Sequence, residues 1–190
     1  MVPLDRVLVV AATPRELVTP VGWRTLCCGV GPVDAAAATA AAIALDRPAA
    51  IVHVGIAGTR RARALMPASL VVGIEARYHD LRVPAHLAPG VVMADPALVS
   101  AVARAFPDAP RLPIGTSARI GGTTDTDVEA MEGFAVLRAA QLAGIPAVEV
   151  RAISNEIEET DRARWHFDAA FDAITAATAR LVEEVARCVS

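Results

Sequence analysis

Apolar residues fall along this chain in short blocks separated by polar or glycine-rich punctuation, and the spacing inside each block predicts alternating strands and helices. Arg6 to Ala12 is an apolar run of strand length that empties into the polar loop Thr13-Pro14-Arg15-Glu16. Trp23 to Val30 reads as a second strand. Gly29-Val30-Gly31-Pro32 turns it into a helix over Val33 to Asp46, where Pro32 suits the first turn and Asp34 the helix dipole. Ala49 to Val54 is a third, buried strand closing in the glycine turn Gly55-Ile56-Ala57-Gly58. Ser69 to Asp80 is a fourth, with Leu70, Val72 and Ile74 alternating. Pro84 to Gly90 is a loop, Pro96 to Phe106 a short helix and Leu112 to Arg119 a strand, followed by the loop Ile120 to Asp125.

The stretch from Asp127 to Asn155 is the one the rest is organised around. Asp127 is placed to cap a helix carrying Met131, Phe134, Leu137 and Leu142 at helical spacing, and Gly144 followed by Pro146 supplies its stop. Ala147 to Ile153 is then a strand covered on both faces, ending in the polar pair Ser154 and Asn155. A last helix over Arg162 to Arg187 carries Phe167, Phe171, Ile174, Leu181 and Val185 on a packing stripe. The alternation predicts an α/β chain, three layers α/β/α about a mixed, largely parallel sheet. Ligands bind beyond the carboxyl ends of such strands, which puts Ser154 and Asn155 where chemistry is expected.

Composition narrows the classes. A chain of 190 residues, 54% hydrophobic, can bury one sizeable core, so residues 1–190 are expected to form one domain. The net charge of −3 and the absence of a basic run argue against nucleic acid. All 18 basic residues are Arg, and without Lys neither Schiff-base chemistry nor a Gly-Lys-Ser/Thr phosphate loop is available. Cys27, Cys28 and Cys188 read as small, partly buried apolar residues whose reduced state suits a cytoplasm. The opening MVPLDRVLVVAA lacks a basic n-region and reads as a strand; Ala35 to Leu45 is too short to span a bilayer. Tyr78, His79 and Asp80 alternate in direction and have no second His or Cys group at ligand spacing, so no metal is expected. His53, His86 and His166 read as isolated structural histidines.

Several words of the chain resemble the purine nucleoside phosphorylase and nucleosidase superfamily. Met131-Glu132-Gly133, a helix and then the strand word VRAISN (150–155) resemble its signature, and GVGPVDAAAATAAAI from Gly29 resembles its Gly-Ile-Gly-Lys-Val-Asn-Ala-Ala segment. EARYHD (75–80) is shared with methylthioadenosine/adenosylhomocysteine nucleosidases. The resemblance implies that Glu132 binds ribose hydroxyls, whereas spacing alone makes it an ordinary dipole-favoured acid. It aligns Glu16 with the Glu that activates water, although the Met and first two acids of that family loop are absent. It sets Met131, Ile56 and Gly58 beside the ribose and Thr123 or Thr124 beside the purine, where family members usually carry a stacking Phe. Trp165 would cover the 5′ end of the nucleoside; without the resemblance it is a core Trp. No cofactor is implied, and a homodimer or larger homo-oligomer is.

The implied chemistry is N-ribosidic cleavage. It builds positive charge on the sugar and negative charge on the departing purine, so a site needs an acceptor for the water proton, a carboxylate for the ribose and a partner for purine N7. Glu16, Glu132 and Asn155 have those capabilities. Adenine-specific nucleosidases carry Asp where this chain has Asn155, and an amide can accept from N7–H while donating to O6, which fits a 6-oxopurine. With RARW (162–165) ahead of the last helix, the chain most resembles the futalosine hydrolases of menaquinone synthesis, which release hypoxanthine. The alternatives are a methylthioadenosine/adenosylhomocysteine nucleosidase, a nucleoside phosphorylase, for which Arg15 is the only Arg of the first loop, and a non-catalytic nucleoside-binding protein.

Overall fold

The computed structural model describes residues 1–122 and 124–189. Strand β1 (Val7–Ala11) is buried at every position, as expected of a parallel strand covered on both faces. It lies between β2 (Arg24–Cys27) and β3 (Ala50–Thr59), parallel to both. β4 (Leu70–Tyr78), β5 (Val91–Met93), β6 (Arg111–Thr116), β7 (Val128–Ala130) and β8 (Ala147–Glu156) complete one mixed sheet of eight strands. Helix α1 (Pro32–Leu45) packs beside α3 (Gly133–Leu142), and α2 (Pro96–Ala105) beside α4 (Phe167–Cys188), so the helices pair off around the sheet. This is the α/β architecture that the alternating pattern predicts. Among the described residues no helix is long and apolar enough to cross a membrane.

Five of the strands close into a ring. β3 pairs with β8, β8 with β4, β4 with β6, β6 with β7 and β7 with β3. A small core fills it, made of Ala57, Val71, Leu112, Ile114, Val128, Ala130 and Ile153, with every ring strand contributing. The larger core, including Val9, Leu98, Leu137 and Leu181, lies between sheet and helices. In the β3–β8 ladder the register shifts between Ala57 and Gly58, which sets Gly58 opposite Asn155 and leaves Ser154 out of the pairing.

Several boundaries differ from the expectation. Asp127 does not cap a helix: Val128 to Ala130 form β7, held by ladders on both sides, and α3 begins only at Gly133 with Glu132 at its N-cap. Leu142, expected on the apolar stripe, is 71% exposed. The glycine turn after Val54 is continuous strand; without a Cβ at Gly55 and Gly58 the strand leaves room for Arg151 and Asn155. β8 likewise runs on through Ser154 and Asn155 to Glu156. The last helix starts at Phe167, because Asp161 caps a separate 3-10 turn over Arg162–Arg164 by accepting from the Ala163 N–H at 3.0 Å.

Candidate active site

The parallel strands β1, β3 and β8 end at one rim, and the loops beyond them enclose a cavity of about 260 Å³. Glu16, Ile56, Gly58, Met131, Glu132, Asn155 and Trp165 all line it. Thr124 is buried but is not part of that wall: its N–H donates to Glu129 at 3.0 Å and its hydroxyl pairs with Thr126 at 2.9 Å. Thr123 lies outside the described residues.

Glu16 is presented by the 3-10 turn Pro14–Glu16 and is only 3% exposed. Its Oε2 accepts from both the N–H and the hydroxyl of Thr13 at 2.8 Å, and Oε1 accepts from the Ile56 N–H at 3.2 Å. The first strand's end and β3 thus fix the carboxylate in one orientation. Glu132 makes no side-chain capping bond to its helix and lines the cavity instead. Its Oε1 accepts from the Gly31 N–H at 2.9 Å, which Gly31 can offer because it holds φ of 92°, in the region that favours glycine. Burial raises the Glu132 pKa, while Arg151 and the Gly31 N–H oppose that shift and Glu16 and Glu149 add to it.

Behind these two acids lies a buried polar cluster on one face of the sheet. Arg151, 1% exposed, donates from Nε to Glu149 at 2.7 Å and from Nη2 to His53, with Nη2 3.6 Å from Glu132. The His53 Nδ1–H donates to the Val10 carbonyl at 3.0 Å, leaving Nε2 as the acceptor for Arg151. Burial, and then the Arg151 charge, push its pKa well below the usual value, so the ring is neutral. Burial opposes the Arg151 charge, but Glu149, Glu132 and Glu16 outweigh it and its pKa is raised. A Cβ at Gly55 would fall 2.1 Å from Arg151 Nη1 and 2.9 Å from Glu16 Oε1, so the bare α-carbon is what lets the guanidinium approach Glu16. Burial, and then Glu132, push the Cys28 thiol up to about 12, which leaves no thiolate near neutral pH.

Asn155, 8% exposed, closes the other end of the cavity. Its Nδ2 donates to the Glu156 carbonyl at 2.9 Å and its Oδ1 accepts from the Ser154 hydroxyl at 2.8 Å. Because a carbonyl only accepts, the nitrogen has to face Glu156, and that fixes the amide. One N–H and one oxygen lone pair remain for a ligand.

Some of the wall was not anticipated. Phe167 and Phe171, assigned to the packing stripe, line the cavity beside Trp165, with ring centroids 5.3 Å apart for Trp165–Phe167 and 6.3 Å for Phe167–Phe171. The Trp165 indole is fixed by its Nε1–H donating to the Glu159 carbonyl at 3.0 Å. Glu129 also lines the cavity and accepts from the N–H groups of Gly121 and Gly122 at 3.1 Å and of Thr124, tying these three residues to β7. The charged Glu149 and Arg151, two apart in an otherwise apolar strand, were the available signal for the buried cluster.

Comparison with known proteins gives this arrangement its relatives. The phosphorylase superfamily model matches residues 24–120 and 116–187. The chain belongs to that superfamily. It is 38% identical to the futalosine hydrolase of Streptomyces coelicolor over 189 residues, covering 85% of this chain and 79% of that protein. The fold also matches solved structures. The 5′-methylthioadenosine/S-adenosylhomocysteine nucleosidase of Colwellia psychrerythraea, in complex with adenine, superposes with a TM-score of 0.80 at 21% identity, over 96% of this chain and 95% of that one. The futalosine hydrolase of Helicobacter pylori superposes with a TM-score of 0.77 at 16% identity, over 95% and 97%.

Proposed function

We propose that this chain hydrolyses the N-ribosidic bond of futalosine, giving hypoxanthine and dehypoxanthine futalosine in menaquinone biosynthesis. The observation that carries the reading is the oriented amide of Asn155. Its free lone pair can accept from N7–H of the leaving purine and its free N–H can donate to O6, a pattern suited to a 6-oxopurine leaving group. Relationship to the Streptomyces enzyme across most of the chain supports the same substrate.

In this mechanism Glu16 takes the proton of the attacking water through the Oε1 lone pair that Ile56 leaves unused. Glu132 accepts from the ribose hydroxyls, holding the sugar as its anomeric carbon becomes positive. Asn155 stabilises the departing base, and the 5′ substituent lies along Trp165, Phe167 and Phe171. The chain works in the cytoplasm as one nucleosidase-like domain in a homo-oligomer. The edge strand β5 supports association, since Met93 is 61% and Val91 44% exposed.

The test is a product assay on purified protein given futalosine, inosine and methylthioadenosine separately, with and without phosphate. Hypoxanthine from futalosine without phosphate is the expected result. Adenine from methylthioadenosine would make it an adenine nucleosidase, and absolute phosphate dependence a phosphorylase.

A further inference from the structure

Glu149 has no part in the reaction above, yet it is a fully buried acid at the back of the site. Only one of its oxygens meets a donor, Oε1 with the Arg151 Nε–H. Oε2 has no hydrogen-bond partner among the described residues and is packed against Gly133, where a Cβ would fall 2.2 Å from Oε2 and 2.4 Å from Oε1. An ionised oxygen without a donor is a costly thing to bury, whereas the acid form loses the charge and keeps Oε1 as an acceptor.

The surrounding charges point the same way. Arg151 on the same strand is the cation that acts on both Glu149 and Glu132, and Glu16 acts on it in turn. His53 on β3 is neutral, and the Cys28 thiol beyond β2, which faces Glu132 and Arg151, is protonated. One guanidinium cannot balance three carboxylates at this depth.

We propose that Glu149 is a neutral positioning residue: as a carboxylic acid it accepts from Arg151 Nε and, with His53 on Nη2, aims the guanidinium at Glu16 and Glu132. Burial raises the Glu149 pKa against the opposing pull of Arg151, in keeping with this. The proton on Glu149 leaves the charge of Arg151 to the two acids that face the cavity. A charged Glu149 would divert it.

The infrared difference spectrum of the full chain minus Glu149→Gln at neutral pH tests the acid directly. Loss of a buried carboxylic-acid C=O band is expected, and loss of carboxylate bands alone would overturn the proposal. Kinetics test the positioning, and this arm rests on the futalosine reading. Glu149→Gln, which keeps the acceptor, should hold kcat and its pH profile within about twofold, while Glu149→Leu should lower kcat by roughly 10²-fold and shift the profile. Equal damage in both variants, or a folded Glu149→Leu with unaltered kcat and profile, would sink it. If Glu149→Leu does not fold, the spectrum and Glu149→Gln decide. If the unmodified chain releases no hypoxanthine, the substrate reading fails while the spectrum still answers for Glu149.

Discussion

At Glu16 three donors fix the carboxylate while leaving one lone pair, on Oε1, for water, so the proposed role makes a sharp demand on its charge. Glu16→Gln should lower kcat by about 10³-fold or more while calorimetry still detects futalosine binding; near-normal turnover would remove Glu16 as the base. Asn155→Asp should raise the kcat/KM ratio of adenine over 6-oxopurine nucleosides, because a protonated carboxyl can donate to N7 and accept from the 6-amino group. No change in that ratio would mean the base is read elsewhere. Asn155 drew notice because it stands where an apolar strand gives way to polar residues, whereas Glu16 was singled out by the resemblance alone; the structure brings both to the cavity wall. Arg151 and Glu149 were harder, since their alternation is visible but their partners, His53 and Gly55, come from another strand. Thr124 was expected beside the purine, and no local pattern reports that its N–H goes to Glu129 instead.

Among elements, the junction of α3 with β8 leaves no room for a side chain beside the site. Gly133 opens the helix directly over Glu149, and a methyl there meets both carboxyl oxygens. Gly133→Ala should therefore cost roughly 1–3 kcal/mol of stability and lower kcat with it, as read by denaturant unfolding and hypoxanthine release. A comparison on the other side is Asp95→Ala in α2. Asp95 accepts from Ala97 and Leu98 N–H groups at 3.0 Å, so its loss should cost about 1 kcal/mol and leave kcat unchanged. The stop of α3 at Gly144 could be read locally. Its start could not, because three residues become a strand here through ladders to β3 and β6 that no local pattern reports.

For the molecule as a whole, the buried cluster makes stability depend on pH in two opposing ways. His53 ordinarily titrates near 6.5 but is depressed in the fold, so the unfolded chain takes up a proton that the folded one refuses. Its contribution is present above that value and lost as pH falls toward the folded pKa. Glu132 and Glu149 are raised from 4.5, so their contribution is full below that value and lost as pH rises through their folded pKa values. His53→Asn should then lose less thermal stability than the unmodified chain between about pH 7 and about pH 5, each measured against its own value at pH 7. An equal or steeper loss would exclude His53 as the responsible group. The ring of strands carries a different consequence, one of timing. β7 is short, runs straight into Met131 and Glu132, and pairs with β3 across much of the chain, Gly58 opposite Glu129, so Glu132 reaches its place only when that side of the ring is closed. Pairings so distant along the chain form late. During refolding, helical circular dichroism should recover before turnover does, and the first hypoxanthine released would mark the moment the ring shuts.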